Sequence, residues 1–303
     1  LIIKQLVSML HDKGSAAQEQ AAAALANLAR DSTDNRTSIV DAGGIVPLLA
    51  LLESDSAKAK ENSVSAITQL ANKSPANQSA IAKAGGIVPL VTVLNAAANN
   101  MKEAAAADLS SLCAAAITQL CKHNPANQAA IVEAGAIQSL VSMLGSPNPV
   151  LNANAAGALS ALSRDSADNQ SAVARTGAIA PLCALVREGS PDTKEQSASA
   201  LWSLSTDNAP NKATIAKLGG IEPLVGLLVS VSTDQSDKAG DYASGALASL
   251  ASKHAENRTT IAKRLVALLN SKQPERAVRV LAALAKLSAD SAANQVAIAK
   301  TGG

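Results

Sequence analysis

Side chains able to do covalent or acid–base chemistry are few and scattered. The three histidines, His11, His123 and His254, lie far apart in the chain. His123 and His254 fall near the expected C-terminal ends of helices, where a partly charged imidazole complements the helix dipole. The three cysteines, Cys113, Cys121 and Cys183, are odd in number. Cys113 and Cys121 are eight residues apart, about two helical turns, too far for a disulfide along one helix. They read as reduced, buried thiols of a cytoplasmic or nuclear protein. No nucleophile elbow, HExxH zinc motif, CxxC pair or P-loop occurs. The paired glycines Gly43-Gly44 and Gly85-Gly86 follow a helical pattern instead of opening one after a strand, so they are not phosphate cradles. These residues point to no catalysis, no metal and no cofactor.

The elements that position every other polar residue form a repeat. DNRTSIVDAGG, ANQSAIAKAGG, ANQAAIVEAGA, DNQSAVARTGA, PNKATIAKLGG and ANQVAIAKTGG recur, anchored at Asn35, Asn77, Asn127, Asn169, Asn211 and Asn294. Asn257 opens a shortened copy. The spacings of 42, 50, 42, 42, 46 and 37 residues fit a 42-residue unit with two insertions and one deletion, which signals a solenoid. The chain divides into a partial repeat 1–34, then 35–76, 77–126, 127–168, 169–210, 211–256 and 257–293, and the start of another at 294–303.

Each unit reads as three helices. Ser32, Ser74, Asn124, Ser166, Asn208, His254 and Ser291 stand three residues before the anchors, and all but the histidine are good N-caps. A short first helix closes at a glycine eight residues past the anchor, as at Gly43. The second helix is seen in IVPLLALL and IVPLVTVL. The third is longer and alanine-rich, with leucines such as Leu25 and Leu28 at helical spacing. Alanine supplies 66 of the 303 residues, phenylalanine none, and the aromatics are Trp202 and Tyr242. That composition argues for helices and against an all-β fold or disorder. A net charge of +2 gives no global attraction for nucleic acid, and no apolar run approaches the roughly 20 residues of a membrane span.

Three irregularities stand out. Eight extra residues precede Ile117, and Met101 to Cys121 would form one continuous third helix two turns longer than usual; a loop broken at Asn99-Asn100 is the alternative. SVSTDQSDKAGD adds four residues to a polar loop. IAKRLVALL lacks the closing glycines, so its first and second helices either fuse across Arg264 or the first frays, with a change of pitch expected. Both ends break off mid-unit without a polar capping repeat, which suggests part of a longer chain or larger complex.

The Ala-Gly-Gly closure, the Ile-x-Pro-Leu-Val second helix and the Ala-Leu-x-x-Leu third helix resemble the armadillo repeat over essentially the whole chain. The style is similar to plant, fungal and protist arrays, including vacuolar-protein-8-like scaffolds and U-box ligase repeat domains. The resemblance implies an all-α, right-handed α-solenoid of about seven three-helix repeats, whose third helices line a groove for protein partners. Nuclear-import adaptors of this family place a Trp, and four residues later an Asn, on each third helix. Here the tryptophan position holds Ala23, Ser65, Ala115, Gly157, Ser199, Gly245 and Ala282. The asparagine position holds Asn27, Gln69, Gln119, Ala161, Ser203, Ser249 and Lys286, so the nuclear-localisation-peptide function does not carry over.

One turn before the small position lie Gln20, Asn62, Leu112, Asn154, Gln196, Tyr242 and Arg279, and with Asn27, Gln69 and Gln119 this row forms an amide-rich groove floor or a solvated polar face. Arg30, Lys73, Lys122 and Arg164 make a possible basic stripe for an acidic partner segment, or complement helix dipoles. The expected function is a non-catalytic scaffold or adaptor whose partner is a protein or peptide segment, with no nucleic acid and no direct membrane insertion. The alternatives are a targeting or regulatory module of a larger enzyme, such as a ubiquitin ligase, and a structural subunit of a large assembly.

Overall fold

The structure, a computed structural model, describes residues 1–12, 15–230, 238–269, 274–289 and 292–301. It forms two compact units, 1–143 and 144–303. All regular elements among the described residues are helical.

The first unit opens with α1 (Ile2–Met9) and α2 (Ser15–Ala29), a second and a third helix in repeat terms. The next triplet is α3 (Thr33–Asp41), α4 (Ile45–Ala50) with a 3-10 turn over Leu51–Glu53, and α5 (Ala57–Ala71). Then follow α6 (Pro75–Lys83), α7 (Ile87–Ala98) and α8 (Ala104–Cys121), and finally α9 (Pro125–Glu133) and α10 (Ala136–Met143). The second unit holds α11 (Pro149–Ser163), α12 (Ala167–Arg175), α13 (Ile179–Glu188) and α14 (Pro191–Ser205). It continues with α15 (Ala209–Lys217), α16 (Ile221–Val229), α17 (Lys238–Ala251), α18 (Ala255–Leu269), α19 (Pro274–Ser288) and α20 (Ala292–Thr301).

Local chemistry sets the boundaries. Ser32, Ser74 and Ser166 through Oγ, and Asn124 and Asn208 through Oδ1, accept the backbone N–H of the anchor asparagine at 3.1 to 3.3 Å. The expected cap Ser291 lies outside the described residues. Closure needs glycine at Gly43, whose φ of +79° is left-handed. At Gly44 a Cβ would come within 2.8 Å of the Ile39 side chain, so the next helix packs directly on the one just closed.

Third helices pack side by side: α2 on α5 and α5 on α8 in the first unit, α11 on α14 and α14 on α17 in the second. Their contact stripes are small and closed to solvent, as with Ala66, Ala116, Ala158, Ala200 and Ala246, which lets helix axes approach closely. Leucines and isoleucines fill the space beneath. Leu25, Ile39, Leu48, Ile67, Leu70, Leu90 and Ile117 are completely buried in the first unit, and Leu159, Leu182, Leu201, Leu224 and Leu247 in the second. Each such side chain contributes about 1.5–3 kcal/mol of transfer free energy. α8 is the one described helix whose 18 residues and hydropathy match a membrane span. It packs against α5 and α7, and Ala114, Ile117, Leu120 and Cys121 are fully buried.

The insertions resolve differently from the simplest expectation. The eight extra residues do not make one helix from Met101 to Cys121. They lengthen the second helix, α7, to 12 residues, form a break capped by Asn99, and start α8 at Ala104. α8 is therefore three residues longer than the 15-residue α5, less than one turn. Asn99-Asn100 wins because the Asn99 N–H bonds Asn95 O and the Asn100 N–H turns back to Ala97 O. At the deletion the two helices fuse: α18 runs unbroken through Arg264, whose Nε lies 3.0 Å from Glu222 Oε2. Most of the SVSTDQSDKAGD insertion lies outside the described residues.

Candidate functional site

Most of the recurring polar residues are consumed by the fold. Every anchor asparagine donates Nδ2 to the carbonyl of the last leucine of the preceding third helix, seven residues back. Asn127, Asn211 and Asn257 also reach the backbone carbonyls of Gln78, Gln170 and Lys212 in the neighbouring repeat. The next residue along does similar work. Arg36 donates to Ala29 O and Arg30 O, Gln128 to Cys121 O, Gln170 to Ser203 O and Thr206 O, and Lys212 Nζ to Ser252 O at 2.8 Å. These are helix C-cap bonds made by side chains, and they satisfy carbonyls that would otherwise be orphaned.

His254 also fills the cap position: its Nδ1 accepts the Asn257 N–H at 3.3 Å, which makes the ring the N-cap of α18. His123 is exposed just past α8, with φ +57°. The three thiols are buried. Burial pushes Cys113 up to about 12, Cys121 further, and Cys183 to about 12 despite the opposing charge of Arg187, so all three are protonated and unreactive. No group of three or more metal-ligating side chains gathers among the described residues.

What remains faces outward on the third helices. In the first unit Asn27, Gln69 and Gln119 occupy one equivalent position on α2, α5 and α8. Asn27 is exposed and the two glutamines are half-buried. Arg30 approaches Asn27 Oδ1 at 3.4 Å. Gln119 Oε1 is closed off from solvent with no donor in reach, an acceptor left over by the packing. The companion position is less available than its spacing suggests. Gln20 is exposed on α2, but Asn62 spends its amide on Glu19 O at 2.9 Å, tying α5 to α2. In the second unit Asn154 and Gln196 are half-buried, and Gln196 Nε2 donates to Glu195 Oε1 at 3.2 Å.

The four cations of the possible stripe do not share one position. Arg30, Lys122 and Arg164 follow their third helices directly, whereas Lys73 sits one residue later, in the left-handed conformation. Its equivalents are His123, Asp165, Asp207 and Lys253, so that later row carries both signs of charge. Arg30, Lys73 and Lys122 are exposed in the first unit; Arg164 is half-buried in the second.

One aromatic side chain lies beside this face, Trp202. It lies three residues beyond the small position on α14, yet its indole covers the small position of α17. A Cβ on Gly245 would fall 2.7 to 2.9 Å from Trp202 ring atoms. Tyr242 completes the patch, its ring centroid 6.2 Å from that of Trp202 at a tilt of 48°. Glycine at 245 was the available signal, since it leaves room for a flat ring. A recess of about 150 Å³, lined by Arg164, Asp165, Trp202, Ser203 and Thr206, opens beside the indole.

Comparison with known proteins agrees with this architecture. The Armadillo/beta-catenin-like repeat model matches residues 32–72, 124–164 and 166–206. None of the curated proteins matches the chain in sequence. Among solved structures, an engineered protein is similar at a TM-score of 0.74 and 25% identity, covering 84% of this chain and 98% of its own. A designed armadillo repeat protein is similar at 0.73 and 22% identity, covering 82% and 99%. A further designed armadillo repeat protein, in complex with the peptide (KR)4, is similar at 0.70 and 20% identity, covering 82% and 99%. Armadillo repeats are thus matched at 32–72, 124–164 and 166–206, and the same three-helix unit with its anchor asparagine recurs along the other described residues.

Proposed function

We propose that the chain is a non-catalytic protein-interaction scaffold that holds an extended partner segment against its third helices. One observation carries the reading. The repeated amides divide into two sets: the anchors are all bonded to backbone carbonyls of the fold, while Asn27, Gln69 and Gln119 recur on the outward face of packed helices. Side-chain amides spaced this way offer donors to a peptide backbone, and at Asn27 and Gln69 acceptors as well, without demanding a particular sequence. The inert thiols and the scattered histidines offer no competing chemistry. The designed armadillo protein that carries (KR)4 supports peptide binding on this fold, although that ligand belongs to that protein.

The test is selection of peptides from a displayed random library on the intact chain, followed by affinity measurement on the triple variant N27A/Q69A/Q119A. Selected peptides should bind the triple variant at least about tenfold more weakly, as expected when two or three interface hydrogen bonds go. Peptides whose affinity is indifferent to these substitutions, or a library that yields no binder, would remove the proposal.

A further inference from the structure

The recess beside Trp202 combines features that the fold does not use. Arg164 forms the C-cap of α11, is half-buried, and has no hydrogen-bond or ion-pair partner among the described residues. The neighbouring carboxylate of Asp165 is held in a left-handed turn at φ +57° and does not pair with it. The two hydroxyls in the recess are committed: Ser203 Oγ is shared with Ser160 Oγ at 3.1 Å, and Thr206 Oγ1 donates to Trp202 O at 2.9 Å. Trp202 is 36% exposed, held against Gly245 and beside Tyr242, so its orientation is set without a ligand. About 150 Å³ is the scale of one side chain, well below a drug-sized pocket.

An uncompensated guanidinium is the strongest discriminator in this inventory. Arginine presents a planar fork of donors matched to a carboxylate, and its charge cannot be shed. An indole plate next to it adds apolar area without the entropy cost of ordering a flexible side chain. We infer that this recess is an anchor site for an acidic residue of a partner peptide, its carboxylate on Arg164 and the adjoining apolar residue on Trp202. The inference rests on the peptide-binding reading above and gives it a sign of charge and a place in the second unit. Asp165 works against the ligand's charge, so the site is tuned for modest affinity and release.

Trp202 is the single tryptophan of the chain, so its emission reports on this recess alone. The experiment titrates the intact chain with three short acetylated peptides that alternate leucine with glutamate, glutamine or lysine. The glutamate peptide should shift Trp202 emission saturably and bind about tenfold or more tightly than the glutamine peptide, as a charge-assisted bond outweighs a neutral one. R164Q, which leaves the fluorophore in place, should bring the glutamate peptide down to the glutamine level. D165N should tighten it. Circular dichroism melts of both variants check that the fold persists; should R164Q fail to fold, D165N and the peptide series still decide the sign. Tighter binding of the lysine peptide, weakening by D165N, or no saturable response to glutamate would overturn the inference. Library peptides that bind through Asn27, Gln69 and Gln119 while the glutamate peptide fails would sink this anchor site alone.

Discussion

Lys212 is the residue at which the repeat's solution is least comfortable. Its position, directly after the anchor, holds Gln78, Gln128 and Gln170 in other units. Lysine keeps the donor function through its bond to Ser252 O, but does so only 3% exposed. Burial lowers its affinity for the proton, Asp207 partly restores it, and Lys253 lowers it again. A base whose pKa is depressed on folding binds fewer protons folded than unfolded, so stability rises with pH between the lowered value and the ordinary 10.5. K212Q should therefore be more stable than the parent at pH 7, and the difference should shrink as pH is raised through 10. Urea denaturation midpoints at both pH values check this, and an unchanged gap would rule it out. Trp202 shows the opposite relation between residue and neighbour. Its own helix has no bulky groove residue at the expected place, and a missing side chain on the next helix, Gly245, makes its seat.

Helix starts were legible because they are local. Ser32, Ser74, Asn124, Ser166 and Asn208 stand three residues before an anchor, and each caps that anchor's backbone N–H. Even His254, a poor cap by type, follows the same geometry. Other features depended on non-local packing. The insertion before Ile117 was read as a third-helix extension because residues 101–121 have helical composition throughout. The chain instead divides the extra length among α7, where Ala97 and Ala98 become buried, the break at Asn99-Asn100, and the start of α8. Likewise Asn62 faces the right way to serve a groove, but α2 lies close enough to take its amide. Helix ends carry a cost that composition hides: Lys73, His123, Asp165, Asp207 and Lys253 all adopt positive φ. A side chain there costs roughly 1 kcal/mol relative to glycine, less what glycine gains in the unfolded chain. H123G and K253G should each raise stability by about 0.5–1 kcal/mol, visible as a higher melting temperature; a loss at both positions would show that side-chain contacts outweigh the backbone strain.

At the scale of the molecule, the three buried thiols are reporters placed in both units, Cys113 and Cys121 in the first and Cys183 in the second. With Cys113 raised from 9.0 to about 12, its thiolate fraction at neutral pH falls by roughly three orders of magnitude before any steric protection is counted. Labelling by a disulfide reagent at pH 8 should be negligible in the native protein and should follow urea unfolding, with mass mapping assigning each event to its unit. Rapid native labelling at any of the three sites would mean that local opening is far easier than the burial implies. The anchor bonds carry a different consequence. Asn127, Asn211 and Asn257 join neighbouring repeats through backbone carbonyls of residues 78, 170 and 212, which are glutamine in two cases and lysine in the third. A joint made to the main chain is indifferent to the side chain it passes. A repeat copied, removed or exchanged with another would find the same acceptor waiting, so at these junctions the gene can gain or lose a whole repeat without a matching change next door.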